Sequence, residues 1–242
     1  MKHWQERTAL LLGEKKLVKL SASHVLVVGL GGVGAYAAEQ LVRAGVGELS
    51  IVDGDIVQAS NLNRQLPATH LTLGMKKAEV LKDRFLSINP QLKLHVYNQY
   101  LTTEEMSEFV SSQPYDMVLD AIDTLSPKVQ LIKSCVEQSI PIVSSMGAGA
   151  RIDPTKVTIT DVSKSYNDRL AFKVRKALHK YNIYKGFKVV FSSELPDRNA
   201  IMLIENEQNK KSTAGTISYM PAIFGIMCAA EVIRQLLAEK KD

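Results

Sequence analysis

"VLVVGLGGVG", Val25 to Gly34, is the stretch on which the reading of this chain turns. Its first half is a run of small and β-branched apolar residues, the composition of a strand buried on both faces. Its second half places Gly29, Gly31, Gly32 and Gly34 where that strand must turn sharply into a helix. Glycines at such a turn let backbone N–H groups approach an anion, and a helix beginning near Val33 aims its positive end at the same spot. Any nucleotide phosphate would suit this cradle, so the loop alone leaves the chemistry open.

Outward from the loop, helical and strand patterns alternate. "AYAAEQLVRAG" (35–45) reads as a helix that Gly45 ends, and "ELSIVDGD" (48–55) as a second strand, which completes one βαβ unit. A polar loop, "QASNLNRQLPATHLTLG", leads to a helix over 75–89 stopped by Pro90. Then come a strand at 93–100, a helix at 103–112, a strand at 115–123, a helix at 126–139 and a strand at 141–147. This alternation predicts an α/β fold with a doubly wound, largely parallel, Rossmann-like sheet. A single helix is expected over 5–20 ahead of it. Residues 1–150 form the nucleotide-binding core on this reading. Residues 151–242 form a smaller α+β extension, packed on the core as one continuous unit, with short strands at 156–162, 188–193 and 200–205 and two helices.

Composition narrows the class. With 242 residues, 45% of them hydrophobic, the chain can bury one sizeable core. Its two cysteines, Cys135 and Cys228, cannot make a four-cysteine zinc site, and no secretory leader is visible, so a reducing cytoplasm is expected. The longest apolar stretch, Ile217 to Ala230, carries Pro221 and stops before Glu231, shorter than the ~20 residues of a membrane span. Net charge is +5, and its distribution is uneven: Lys164 to Lys188 holds eight Lys or Arg against one Asp, leaving the remainder at −2. A polyanionic partner and a solvated helix face both fit such a patch.

Two chemistries compete for the cradle. "GLGGVG" satisfies G-x-G-x-x-G, and Asp53 ends the second strand where a ribose-binding acid belongs, which fits an NAD-dependent oxidoreductase. "SNLNRQ" argues otherwise, because it sets Asn61, Arg64 and Gln65 on the loop leaving that strand. Hydride transfer needs no cation there, whereas displacement at phosphorus builds negative charge on the departing pyrophosphate. Lys77 adds a second cation, and "DAID" puts Asp120 and Asp123 at the end of the fourth strand, where one carboxylate could hold Mg²⁺ against phosphate oxygens. That set fits ATP.

The order "GLGGVG", "VDGD", "SNLNRQ", "GMKKAEV", "DAID" resembles the ThiF/MoeB/E1-like ATP-dependent adenylating family over roughly Arg7 to Met146. The resemblance implies ATP on the glycine loop, with Asp53 on the ribose and Asp55, Ala121 and Asp120 lining the nucleotide. It also implies Asn61, Arg64, Gln65 and Lys77 around the phosphates and Mg²⁺ on Asp123. Catalysis then falls to Arg64, Lys77, Asp123 and Arg7, the last reaching from the opening helix into the partner's site of a homodimer. A carboxylate attacks the α-phosphorus to give an acyl-adenylate and pyrophosphate. Without C-x-x-C pairs, and with both cysteines in apolar helices, thioester chemistry is disfavoured.

The tail "SSMGAGARIDPTKVTITDVSKSYNDRLAFKVRKAL" looks like the corresponding segment of the tRNA threonylcarbamoyladenosine dehydratases, with Ser165 where threonine is common and Arg169 where proline is common. The implied reaction is cyclisation of N6-threonylcarbamoyladenosine at tRNA position 37. The alternative within the family is adenylation of a ubiquitin-like sulfur carrier, and a sulfur-transfer partner fits either. Independently of the resemblance, Arg169 to Tyr181 reads as an amphipathic helix. Leu170, Val174, Ala177, Leu178 and Tyr181 form its apolar stripe, and Arg169, Lys173, Lys176 and Lys180 its basic one. Together with Lys164 and Arg175 these are the candidate tRNA contacts.

Overall fold

The computed structural model describes residues 3–207 and 210–238. Its centre is a seven-stranded sheet in the order β3-β2-β1-β4-β5-β7-β6. The strands are β1 (His24–Val28), β2 (Glu48–Val52), β3 (Lys93–Tyr97), β4 (Met117–Asp120), β5 (Ile142–Ser145), β6 (Val157–Asp161) and β7 (Lys188–Ser192). All neighbours pair in parallel except β6, which runs antiparallel to β7 at the edge. β1 shows why a continuous apolar run was needed. Val25 and Val27 enter the core on one face and Leu26 and Val28 the core on the other, as the two-residue period of a strand requires.

Helices cover both faces. α3 (Gly34–Ala44), α4 (Lys77–Ile88) and α8 (Tyr219–Leu237) bury Ala38, Leu41, Leu81, Phe85, Phe224 and Val232 against one side. The other side takes α5 (Met106–Ser111), α6 (Leu125–Glu137) and α7 (Arg169–Leu178), through Met106, Val110, Leu131, Ile132, Val174 and Leu178. Gly45, at φ +97°, caps α3 in the left-handed conformation. The chain winds outward from β1 through β2 to β3, then resumes at β4 on the opposite side of β1. The carboxyl ends of β1 and β4 therefore border the crevice where such sheets bind ligands.

Several expectations are corrected. The opening segment is two helices, α1 (Glu6–Leu12) and α2 (Glu14–Ser21), because Gly13 between them adopts φ +78° and cannot continue a helix. Residues 179–181 form a separate 3₁₀ turn after α7, and Tyr181 is 47% exposed rather than docked; fully buried Ala171 takes its place in the packing stripe. α8 does not stop at Glu231. It runs on to Leu237 with Glu231 buried and paired to Arg234, so by length and composition it could cross a membrane, yet half of it is buried against the core. Beyond residue 150, β6 and β7 extend the main sheet, while β8 (Ile201–Glu207) and β9 (Lys210–Ala214) form a separate antiparallel hairpin whose second strand the sequence reading lacked.

Candidate active site

At two of its glycines the loop is packed too tightly for a side chain. A methyl group at Gly29, whose φ is +91°, would sit 2.8 Å from the Ala121 carbonyl oxygen, and one at Gly34 would overlap the Gly29 carbonyl. Ala121 N–H donates to Val28 O and Gly29 N–H to Val52 O, each at 2.9 Å, which locks the loop between β2 and β4. Gly31 and Gly32 face elsewhere. A methyl at Gly31 would lie 3.6 Å from Gln65 Nε2, and one at Gly32 3.0 Å from Pro221 Cβ and 3.5 Å from Arg64 Cγ. The fold thus brings Arg64 and Gln65, more than thirty positions on, against the cradle. Gln65 Oε1 is buried there and has no hydrogen-bond partner among the described residues.

The β2 edge supplies the acids and a cation. Asp53 accepts Leu30 N–H at 2.6 Å and Asp55 N–H at 2.7 Å, tying the cradle to the β2 exit. Burial raises its carboxyl above the usual range, against the pull of Lys77 and those two N–H groups. Lys77, the first residue of α4, is 3% exposed, so it is no solvated helix residue; its Nζ lies 2.7 Å from Asp55 Oδ2. Asp55 also accepts the Tyr100 hydroxyl, and that hydrogen bond pushes the phenol up to about 12. Arg64 donates to Ser60 O and Asn63 Oδ1, both at 2.9 Å. Asn61 is buried and accepts Gln58 N–H at 3.0 Å, so in this structure it closes the 3₁₀ turn that precedes Arg64.

Asp120 needs correction as a nucleotide ligand. It is fully buried, with Oδ2 bonded to Ser144 Oγ at 2.5 Å and Lys128 Nζ at 2.7 Å and Oδ1 accepting Ile122 N–H at 3.0 Å. All three partners are internal, and no part of Asp120 is exposed. Lys128 is equally buried and also donates to Ile122 O at 2.9 Å, so the pair grips both polar groups of Ile122. Asp123, one residue further, is exposed at the strand edge. Arg7 is not brought to its own chain's cradle. It is exposed on α1, and nearby Gln5 packs against Gly45, the end of α3 opposite the glycine loop.

Among the candidate tRNA contacts, Lys164, Arg169, Lys173, Lys176 and Lys180 are exposed, the last four along α7 and the turn after it. Arg175 points inward instead, donating to Ser165 O at 2.8 Å and to its hydroxyl, so it braces the loop before the helix. The N-terminus of α7 is held by Asp168, which accepts Ala171 N–H at 2.8 Å and Gly147 N–H at 3.1 Å. Buried Arg151 reinforces this tie, donating to Gly147 O, to Asn167 O at 2.9 Å and to Asp168 at 3.3 Å. Gly147 follows β5, so the start of the basic helix is fixed at the same sheet edge as the cradle.

The ThiF family model matches residues 5–242. The chain belongs to the ThiF family. Among its relatives, the tRNA threonylcarbamoyladenosine dehydratase of Bacillus subtilis is 37% identical, over 99% of this chain and 96% of that protein. Crystal structures of the Escherichia coli tRNA N6-threonylcarbamoyladenosine dehydratase in complex with ATP and with AMP superpose with TM-scores of 0.88 and 0.87 at 34% identity. Each match covers 98% of this chain and 96% of the other. As a ThiF family member this chain has two site-supporting residues that the sequence reading did not single out. Lys128 shares the apolar helical spacing of Leu125, Ile132 and Cys135, a cation on a buried stripe that signals a buried partner. Arg151 carried no comparable signal: its acceptors, mainly backbone carbonyls, are assembled by the fold.

Proposed function

We propose that the chain uses ATP to adenylate the threonyl carboxylate of N6-threonylcarbamoyladenosine at tRNA position 37, after which the group cyclises. The observation that carries this reading is the convergence of the glycine cradle, Asp53, Arg64, Gln65, Lys77 and Asp123 at the β1/β4 crevice. The crevice edge offers N–H groups and the positive end of α3 to phosphates, with Arg64 and Lys77 placed for charge that grows on pyrophosphate. The substrate carboxylate oxygen bonds to the α-phosphorus as the bond to pyrophosphate breaks. Ring closure on the activated carboxyl then expels AMP, which carries off the carboxylate oxygen, so one water is lost overall. Asp123 fits Mg²⁺, an exposed carboxylate at the phosphate edge, and the ion would supply charge neutralisation on phosphate oxygens.

Lys77 serves this role by sharing its ammonium between Asp55 and phosphate, both on the same edge. Direct ring closure rather than a thioester is supported by the cysteines: Cys135 and Cys228 are fully buried, and burial pushes both thiols far up, away from the nucleophilic thiolate. A homodimer with Arg7 acting in the partner's site is supported by the apolar surface of α1, where Leu10 and Leu11 are 84% and 83% exposed. The reading places the protein in the cytoplasm, with its tRNA. The test is incubation with ATP and threonylcarbamoylated tRNA, followed by mass spectrometry of the nucleosides. Loss of one water with AMP release is expected. AMP release driven instead by a small glycine-ended protein would favour the sulfur-carrier alternative, with its sulfur-transfer partner.

A further inference from the structure

Seven Phe, Tyr and Trp residues are exposed among the described side chains, and four of them, Tyr166, Phe172, Tyr181 and Tyr184, fall within the basic segment around α7. Three of the four have partners within the chain. Tyr166 meets Phe191 edge-on with ring centroids 5.3 Å apart, Lys133 Nζ lies 5.2 Å from the Tyr181 ring, and Tyr184 leans on His179 at 4.9 Å. Phe172 has no ring or cation partner among the described residues and is 59% exposed.

Its position is specific. On a helix, residues three and four apart share a face, so Phe172 stands between Arg169 and Lys176, with Lys173 beside it. That is an apolar ring set into the basic face, opposite the face that packs through Ala171, Val174 and Leu178. The ring is also near the site end of the helix. Phe172 N–H bonds Asp168 O at 3.0 Å, and Asp168 is the residue tied to Gly147 at the cradle's sheet edge. One turn of about 5.4 Å separates the two along the axis.

We propose that Phe172 is a stacking platform for an unpaired base of the bound tRNA, next to the nucleoside being modified, a reading that rests on the tRNA assignment above. Single-stranded RNA is gripped through two separable chemistries: cations neutralise phosphates, and an aromatic face takes a splayed base. Arg169, Lys173 and Lys176 provide the first around the ring that provides the second. A protein partner would find the same ring useful only as apolar area. An RNA base needs its flat face, and the three cations around it complement phosphate.

The two chemistries differ in their response to salt. Phosphate contacts release counterions and set the slope of log affinity against log salt, whereas stacking adds affinity without changing that slope. The experiment is titration of unmodified and threonylcarbamoylated tRNA into the full chain by fluorescence anisotropy at several salt concentrations, with Phe172→Ala, Phe172→Leu, Phe172→Tyr and the Lys173→Ala/Lys176→Ala/Lys180→Ala triple variant. Phe172→Ala and Phe172→Leu should weaken tRNA binding by about 5- to 100-fold with an unchanged salt slope. Phe172→Tyr should bind like the parent, and the triple variant should have a shallower slope. Because the ring is exposed, thermal midpoints should match the parent, and a matching far-ultraviolet spectrum guards against misfolding.

Unchanged affinity in Phe172→Ala, while the triple variant weakens, overturns the platform and leaves the tRNA assignment standing. Equal binding by Phe172→Leu and the parent overturns it in favour of a plain apolar contact, such as a protein would make. Failure of the parent chain to bind either tRNA overturns the underlying assignment itself.

Discussion

Replacing Lys128 by Met tests whether the site loop depends on a charge pair that no solvent reaches. Both Lys128 and Asp120 are 0% exposed, their charges are 2.7 Å apart, and Lys128 also satisfies the Ile122 carbonyl at 2.9 Å. Removing one partner of a buried pair costs about 3–5 kcal/mol, because the remaining charge is stranded. Asp120 would keep two donors, the Ser144 hydroxyl and Ile122 N–H, so the lower end, about 3 kcal/mol, is expected. For a chain of this length that corresponds to a fall of roughly 6–12 °C in Tm. The second change, Asp120→Asn in the same chain, removes the stranded charge while leaving an acceptor for Ile122 N–H. It should restore at least about half the loss, measured by denaturant unfolding of all four members of the cycle. ATP-dependent AMP formation should fall in Lys128→Met beyond its loss of folded protein, because the pair holds the residue before Asp123. A cost under about 1 kcal/mol, or no recovery in the double variant, would refute the claim that this pair organises the loop.

Other outcomes follow from the same geometry. Gly34→Ala should abolish ATP binding in calorimetry, since its methyl overlaps the Gly29 carbonyl and forces the cradle open; retained ATP binding would mean the loop does not grip phosphate. Cys135→Ser and Cys228→Ser should keep turnover and lose about 1–3 kcal/mol of stability for a hydroxyl in an apolar site. Lost turnover in a folded variant would revive a thioester. Asp123→Ala should stop AMP formation without lowering Tm. Mixing it with Arg7→Ala protein under conditions of subunit exchange should restore one working site if Arg7 acts in trans. Burial lowers the pKa of His24 below 6.5, against the attraction of Glu48. The unfolded chain then binds the extra proton first, so stability should drop as pH falls from about 6.5 towards 5. A parent-like pH slope in His24→Gln would assign that drop elsewhere.

Much of the fold was legible because its sheet follows local rules. The central strands carry apolar runs closed by polar or glycine-bearing turns, and most helices match their sequence period. The first failed at one residue, Gly13, whose positive φ divides a segment that is otherwise uniformly helical in composition. β6 could be read as a strand from "KVTITDV", but nothing local indicates that it pairs antiparallel with a strand nearly thirty residues later. Tyr181 fitted the helical stripe by number alone. The helix tightens to a 3₁₀ turn at His179, and the change of pitch rotates the ring outward beneath Lys133.

The site was legible as a set of positions but not as a division of labour. By residue type "DAID" presents two equal carboxylates; the family resemblance singles out Asp123 for Mg²⁺, and the packing of α6 shows what engages Asp120. Lys128 reaches across from the helix and pairs with buried Asp120, whereas Asp123 is exposed at the edge. The same competition decides Arg175, claimed by Ser165, whereas Lys77 pairs with Asp55, whose side chain is 48% exposed. In each case an ionic side chain near a ligand surface was assigned by type, whereas its role depends on which internal partner lies within about 3 Å. A buried cation with a buried anion in reach is occupied. Those along the outward face of α7 pair with no acid among the described residues, and it is their exposure, more than their number, that supports a polyanion as the surface's partner.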